Sequence, residues 1–460
     1  MIETVRTTGC LVLMGLVVAI VPVIGNCEDA LAAQGSPGLQ EKIDALIKQL
    51  DADTLKTRSS AERALLKLGP KILPQLPPPK RLPHVSSREA VRRIRIRLQR
   101  TKARQSVLPA RVTLKVTLPL TDLLKAVSTQ SQNRIELAGV SRDVREQTWK
   151  VDYQEQLFWA VMDDLVQRAK LRYRDVAGSE HLTLEVRHEQ SQPDEIAIMY
   201  SGVFRVAVNS AELRPLRGAA GRDARLLRIR LSLTTEPRLR PLFLKFAAKR
   251  FMARSPAGDV LEPLVPDEAH PHDFGEGGGQ LKFSLNYKVL KSVSLTHVVL
   301  QAKVPMKTAA GEERITFRNL ADAEGVARRR GGVTVTLQEV KFRQTNKQER
   351  QARIGVAISY DVGGPAFESH RTWVFHNKVY LETKNGRRVE PAGGFKTNLQ
   401  TDGAVAVEYH FERLKHNPLD YRFVYVAPTL IIDVPVAFEF LKIPVSRSTL
   451  QQKERSEERP

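Results

Sequence analysis

The side chains best suited to chemistry lie in the segment PDEAHPHDFGEGGG, residues 266–279. His270 and His272 stand two residues apart, so both imidazoles could bind one metal ion, with Asp267 and Asp273 supplying carboxylate oxygens. A metal held in this way can activate water. The segment therefore gives the hypothesis of a metal-dependent hydrolase centred on the two histidines. The alternative is a solvent-exposed acidic loop inserted between strands, which binds no metal.

Motifs of other enzyme classes are missing from the sequence. It contains no G-x-S-x-G, no H-E-x-x-H and no strand-to-helix glycine loop that would bind phosphate. The only cysteines are Cys10 and Cys27, both near the N-terminus. Trp373 and Tyr380 could stack on a glycan, although aromatic residues on an alternating strand usually belong to the core. We therefore expect a protein that is not an enzyme and uses no cofactor.

A second group of candidate residues is the arginine-rich stretch SSREAVRRIRIRLQR, residues 86–100. Helical spacing places Val91, Ile94 and Leu98 on one packing stripe and leaves the arginines beside it. The segment 38–106 carries 17 Lys and Arg against 6 Asp and Glu, about half of the net charge of +21. This surplus gives the hypothesis of polyanion binding, with a solvated helix face as the alternative. The arginines concerned are Arg88, Arg92, Arg93, Arg95, Arg97 and Arg100.

The N-terminal segment predicts export. An apolar run from Cys10 to Gly25 is short for a membrane span and suits the centre of a secretory signal. Small residues predict a signal peptide over 1–33 with cleavage after Ala32. The alternative is an uncleaved single N-terminal membrane anchor, which would be the chain's contact with the membrane. Export to the periplasm or medium makes an envelope protein or an anionic envelope polymer the expected partner and disfavours nucleic acid.

Residues 38–106 are predicted to form a small helical unit. Apolar residues recur at helical spacing from Leu39 to Leu50, and Gly69 followed by Pro70 predicts a helix end. Ser59 and Ser86 each precede a glutamate by three residues, which predicts helix starts at both serines. The pattern of a helix, a short proline-broken helix and an arginine-rich helix resembles a HEAT-like unit. That resemblance implies a module that packs on another domain or a partner.

Residues 108–190 are predicted to form a small α+β domain built from two strand-helix-strand passes. The segments VTLKVTLPLTDLLKAV and EQLFWAVMDDLVQRAKLRYR each join an alternating strand to an amphipathic helix, the second helix starting near Gln154. Together they resemble the short N-terminal domain shared by secretins and TonB-dependent receptors. The resemblance implies a docking module without catalytic residues. Asp163 and Asp164 point about 100° apart on a helix, so we expect two solvated carboxylates.

The last half of the chain is predicted to be an internal duplication. FRVAVNSAELR at 204–214 and VTVTLQEVKFR at 333–343 share apolar spacing with the same skipped residue, which predicts a β-bulge at the same place. The displacement of about 130 residues recurs in KVP at 303–305 and DVP at 433–435. Six to eight short alternating strands per copy are typical of an antiparallel sandwich.

The predicted fold class is therefore α+β multidomain: a small N-terminal helical unit, a small α+β sandwich, and two tandem immunoglobulin-like β-sandwiches. The last part divides into a first sandwich over 196–320, a linker over 321–332, a second sandwich over 333–446 and a disordered tail over 447–460. The layout, including TEPRLRPL at 235–242, resembles exported multidomain proteins of planctomycete bacteria that have no assigned activity. The favoured function is an exported, non-enzymatic interaction or scaffold protein of the cell envelope.

Overall fold

A computed structural model describes residues 37–174, 181–187, 195–216, 224–274, 279–345, 349–360, 372–393, 395–401 and 404–447. The predicted signal peptide, its cleavage site after Ala32 and the tail beyond residue 447 lie outside these residues. The described chain combines a small helical N-terminal part with large antiparallel sheets, which confirms the coarse α+β multidomain class. Within it, no helix has both the length and the apolar character needed to cross a membrane. Contacts divide the chain into two compact units, Met1–Thr101 and Lys102–Pro460.

The first unit is helical. Its helices are α1 (Pro37–Gln49), α2 (Leu55–Lys67) and α3 (Val85–Ser106), with α3 continuing past the unit boundary. The predicted stripe of Val91, Ile94 and Leu98 is confirmed, since these side chains are at most 1% exposed. They pack with apolar residues of α1, α2 and the intervening turn: Ile43, Ile47, Leu50, Ala61, Leu65, Ile72, Leu76 and Ala90.

The predicted helix starts in this unit were displaced. α2 begins one turn before Ser59, because Thr54 is the residue whose hydroxyl accepts a hydrogen bond from the amide of Thr57. α3 begins one residue before Ser86, and the Ser86 hydroxyl donates to Asp51 at 2.7 Å. Serine, threonine and glutamate are frequent enough on solvated helix faces that a spacing of three residues does not identify the cap.

The α+β module has two small sheets. Its elements are β1 (Arg111–Pro119), α4 (Leu120–Ser131), β2 (Ile135–Leu137), α5 (Arg142–Glu146), β3 (Thr148–Leu157), α6 (Phe158–Arg168), β4 (Leu171–Arg174) and β5 (Leu182–Val186). β1 pairs antiparallel with β3, while β5 lies between β2 and β4, parallel to β2. The helix expected from Gln154 begins at Phe158, because the alternating segment before it continues the pairing with β1 as far as Leu157.

The described chain after residue 196 is almost entirely antiparallel sheet. Its strands are β6 (Ala197–Ser201), β7 (Phe204–Pro215), β8 (Ala224–Thr235), β9 (Arg240–Ala247), β10 (Phe251–Arg254), β11 (Val260–Pro263), β12 (Ala269–Asp273), β13 (Gln280–Leu290), β14 (His297–Phe317), β15 (Ala327–Arg330), β16 (Val333–Gln344), β17 (Arg350–Tyr360), β18 (Val379–Thr383), β19 (Arg388–Val389), β20 (Phe395–Thr401), β21 (Ala404–Leu414), β22 (Tyr421–Pro444) and β23 (Ser446–Arg447).

Equivalent strands of the two halves pair in the same order. β8 lies between β7 and β13 in the first half, and β17 lies between β16 and β21 in the second. The register shifts between Val208 and Ser210 in β7, and between Leu337 and Glu339 in β16. The predicted bulge is therefore confirmed at the matching position of both halves.

The two halves exchange the ends of their longest strands. β14 and β22 pair with each other from Val298 and Ile443 to Phe317 and Phe423. The last part of β14 places Ile315 and Phe317 in the core of the second half. The last part of β22 completes the core of the first half with Val434, Val436, Phe438, Phe440 and Ile443. Neither half, as bounded by the sequence repeat, therefore contains every strand of its own core, because each core includes a strand segment from the other half.

A pair of prolines marks the centre of this exchange. Pro305 of the KVP motif pairs with Pro435 of the DVP motif, so equivalent residues meet at an approximate two-fold axis. The amide of Ala437 donates to Ser201, away from β14. Because alternate residues turn their amides to the same strand edge, Pro435 also faces away from β14. Its missing N–H therefore removes no hydrogen bond between the two long strands.

Two segments expected to be irregular contain strands. The predicted linker over 321–332 includes β15, which pairs with β16 and whose arginine side chains are exposed. The predicted acidic loop includes β12, which pairs with β9 along its whole length. Neither segment has the alternation of apolar residues that predicts a strand. Each is a strand because its backbone pairs with a neighbouring strand at the edge of a sheet.

Candidate binding surface

The predicted metal ligands lie on and before an edge strand. His270, His272 and Asp273 belong to β12, and the side chains of His270 and Asp273 lie outside the described part of the structure. The half-buried His272 ring stacks on Phe246, with 5.0 Å between ring centroids. Asp267 is exposed and forms an ion pair with Lys249. The described side chains include no group of three potential metal ligands, and the metal-dependent hydrolase stays a prediction.

The arginines of α3 bond their own helical unit. Arg88 donates to the carbonyl oxygens of Leu82 and Pro83 at 2.7 Å, and Arg95 donates to that of Leu76 at 2.9 Å. These bonds satisfy carbonyls in the turn before α3. The remaining pairs are Arg92 with Glu89, and Arg93 and Arg97 with Glu62. Arg100 is exposed. Five of the six candidate arginines therefore already contact acceptors within the unit.

The polar cluster that sequence analysis missed surrounds Asp163. Its carboxylate accepts hydrogen bonds from the hydroxyls of Tyr173 and Tyr200 at 2.7 and 2.8 Å, and from Arg205 Nε at 2.9 Å. The other edge of the Arg205 guanidinium donates to both oxygens of Glu195, at 2.5 and 2.6 Å. The Arg205 side chain is 4% exposed, so the α+β module and β7 are joined by a buried ion network.

The expectation of two solvated carboxylates was wrong for Asp163, which is only 16% exposed. Asp164 does point elsewhere, as helical geometry requires, and accepts from Tyr153 at 2.5 Å and Arg168 at 3.2 Å. Burial, reinforced by the Asp163 charge, raises the pKa of the Tyr200 hydroxyl above its usual value. The Tyr200 hydroxyl therefore keeps the proton that it donates to Asp163 up to a higher pH than an exposed tyrosine would.

A second buried carboxylate ties the linker before β1 to the TEPRLRPL segment. Glu236 is 1% exposed and accepts from the Ala110 amide, Asn133 Nδ2 and Arg238 Nε. Arg238 in turn donates to the carbonyl oxygens of Ser106 and Leu108. Burial raises the pKa of Glu236 above its ordinary value, and these donors oppose that shift. The TEPRLRPL segment therefore anchors the chain just before β1 through Glu236 and Arg238.

An open cleft of about 490 Å³ lies beside this linker. One wall is the end of α3 and the following segment, Arg104 and Val107–Pro109; the other is the turn at Gly202–Val203. The floor is the middle of β22, Ile432–Pro435, which includes Pro435 of the proline pair. Leu108 at the rim is 61% exposed. The cleft is mainly apolar, and its charged lining residues are Arg104 and Asp433.

The floor of the cleft is paired with β14 along one edge only, and its other edge has no paired strand among the described residues. β18 pairs with β22 only from Tyr421 to Tyr425, and the described strands include none that continues this ladder along Ile432–Pro435. Two hydrogen bonds hold the walls in place. Trp159 Nε1 donates to the Val203 carbonyl at 3.1 Å, and Arg238 donates to the Leu108 carbonyl. The arrangement offers a strand edge and apolar side chains to an extended ligand.

Comparisons with known proteins do not extend this description. No protein-family model matches the chain, and no curated protein matches it. A solved structure titled pT26-6p aligns with 56% of this chain and 67% of its own at 8% identity, with a TM-score of 0.15. A likeness at that level bears on neither fold nor function.

Proposed function

We propose that this protein is an exported, non-enzymatic interaction protein of the cell envelope, which binds an extended segment of a protein partner in the cleft. The observation that carries the proposal is the construction of the cleft. Three separate segments form its walls and floor, and hydrogen bonds from Trp159 to Val203 and from Arg238 to Leu108 hold two of them in place. Rigid walls lower the entropy cost of binding.

The modular resemblances support the same role. The α+β module resembles the docking domain of secretins and TonB-dependent receptors, and the helical unit resembles a HEAT-like unit; both are binding modules. We propose that each sheet-rich half is an immunoglobulin-like sandwich modified by strand exchange. The predicted signal peptide supplies the route to the envelope.

The partner is proposed to be an extended peptide because of what the floor offers. A strand edge provides backbone donors and acceptors at regular spacing, and only another extended backbone can match that spacing. Val107, Leu108 and Val434 provide apolar contacts for alternate side chains of the ligand. Pro435 lacks an N–H and limits the pairing to a short stretch.

Photo-crosslinking in the native envelope tests this proposal. With Leu108 replaced by benzoylphenylalanine, we expect crosslinks to one envelope protein, mapped to a short extended segment of it. A synthetic peptide of that segment should abolish the crosslink. The matched control replaces Leu419, which is 58% exposed and lies outside the cleft. The same products from both positions, or no competition by the peptide, would reject the cleft as the binding site.

A further inference from the structure

Three arginines converge on one buried carboxylate on the outer face of the sheet formed by β19, β18, β22 and β14. Glu382 on β18 is 6% exposed. Arg422 Nε lies 2.5 Å from it, Arg314 also donates to it, and Arg388 Nε stands 4.0 Å away. One negative charge is therefore shared by three positive charges, which leaves a local surplus of cations.

An aromatic ring orients two of these guanidinium groups. Tyr380 is 5% exposed, and the guanidinium carbons of Arg388 and Arg314 lie 4.5 and 5.7 Å from its ring centroid. Stacking on a ring fixes a guanidinium plane while its N–H edges remain available. Among the described residues, Arg388 has the 4.0 Å ion pair with Glu382 and donates no side-chain hydrogen bond. Its side chain is 57% exposed. Its donors are thus held in position and open to solvent.

The surroundings are also positively charged. Burial lowers the pKa of the Lys378 ammonium below its usual value; Glu390 opposes that shift, while the charges of Arg388 and Arg134 reinforce it. Burial likewise raises the pKa of Glu390, against the effect of Arg388 and Lys378. An added anion at this face would stabilise the charged form of Lys378. The local field therefore favours a negatively charged ligand.

We propose that Arg388, Arg314 and Arg422 form a binding site for carboxylates of an acidic protein segment. Planar carboxylates match the paired donors of guanidinium groups, as Glu382 already does within the site. β19 is the outermost strand in the order of its sheet, so an extended chain can lie along it and direct alternate side chains to the arginines. This edge favours a peptide over a polysaccharide. The site is separate from the cleft, whose lining includes none of these residues.

Fluorescence anisotropy with a labelled ten-residue peptide of alternating Glu and Val tests the site on the full chain. Arg388→Gln is expected to weaken binding by about tenfold, the effect of losing one charge-assisted hydrogen-bond pair. Arg388→Lys keeps the charge but not the paired donors, so its affinity for the peptide should lie between those of the unaltered chain and Arg388→Gln. Arg230→Gln is the matched control, because Arg230 is a half-exposed arginine of β8 paired with Glu212.

Any of the following outcomes would overturn the proposal. Equal weakening by Arg388→Gln and Arg230→Gln would show attraction to the overall positive charge alone. Failure of the unaltered chain to bind the peptide would exclude an acidic protein segment. Tighter binding of heparin than of the peptide, with the same dependence on Arg388, would instead identify an acidic polysaccharide as the ligand. Should Arg388→Gln fail to fold, Arg388→Lys carries the test, and unchanged affinity in that variant would reject paired recognition.

Discussion

Replacing Arg205 with alanine is expected to lower the free energy of unfolding by about 3–5 kcal/mol, the usual cost of removing one partner from a buried ion network. The Arg205 side chain is 4% exposed and bonds Asp163 and Glu195, which are 16% and 22% exposed. Without the guanidinium, two carboxylates remain close together and largely desolvated. Urea unfolding followed by tryptophan fluorescence measures the loss, since Trp159 lies on α6, the helix that carries Asp163.

The matched control for this experiment is Arg92→Ala. Arg92 is 63% exposed and pairs with Glu89 within one helix, so its loss should cost less than about 1 kcal/mol. Arg205→Lys should fall between the two, because a lysine keeps the charge but cannot bond both carboxylates in a paired geometry. A similar small loss for Arg205→Ala and Arg92→Ala would show that the network does not hold the module in place.

Phe438→Ala is expected to destabilise the first half of the duplication although Phe438 belongs to the second half by sequence. Its side chain is 7% exposed and packs in the core of the first half, 6.2 Å from the ring of Phe251. Removing a buried phenylalanine costs about 3–5 kcal/mol. Hydrogen exchange should therefore accelerate most in β8 and β13, whose buried side chains belong to the same core.

The reciprocal substitution is Phe317→Ala. Phe317 belongs to the first half by sequence, is fully buried in the core of the second half and lies 6.3 Å from the ring of Phe423. The substitution should accelerate hydrogen exchange most in β17 and β21. The reverse pattern, in which each substitution affects only the half that contains it in sequence, would mean that the two halves close separately.

Much of the strand content was predictable because alternation records which side chains face a core. The inward residues of β8 and β13, among them Leu231 and Leu285, are buried as their spacing indicates. The bulges after Val208 and Leu337 were predictable from a skipped residue. These features depend on local sequence alone, and local sequence is sufficient to specify a strand's face.

The strand exchange was not predictable for the same reason. Period-two alternation in β14 and β22 is satisfied by any apolar layer, so it does not specify which half supplies that layer. The repeated KVP and DVP motifs were the available signal. Prolines at equivalent positions are compatible with pairing between the two repeats, where both nitrogens face outward.

The candidate sites were missed because their partners are distant in sequence. Arg205 lies 42 residues from Asp163, and Arg314 lies 68 residues from Glu382. Nothing in the local spacing of either arginine separates it from an exposed one. The arginines of α3 attracted attention by their density, yet five of them bond acceptors of their own unit.

The shared pair of long strands is the frame on which both proposed binding sites depend, and a disulfide trap tests it most directly. Lys303 and Ala437 pair across β14 and β22 and are both exposed. Ala437 turns its amide away from β14, so this is a non-hydrogen-bonded pair with a Cα separation of about 4.5 Å, within the range for a disulfide.

Lys303→Cys with Ala437→Cys should therefore oxidise nearly completely under mild conditions. The control, Lys303→Cys with Leu441→Cys, places the second thiol four residues further along the strand, about 13 Å away. Efficient closure of the first pair alone is the predicted result; equal closure of both pairs, or of neither, would contradict the exchange of strands between the two halves.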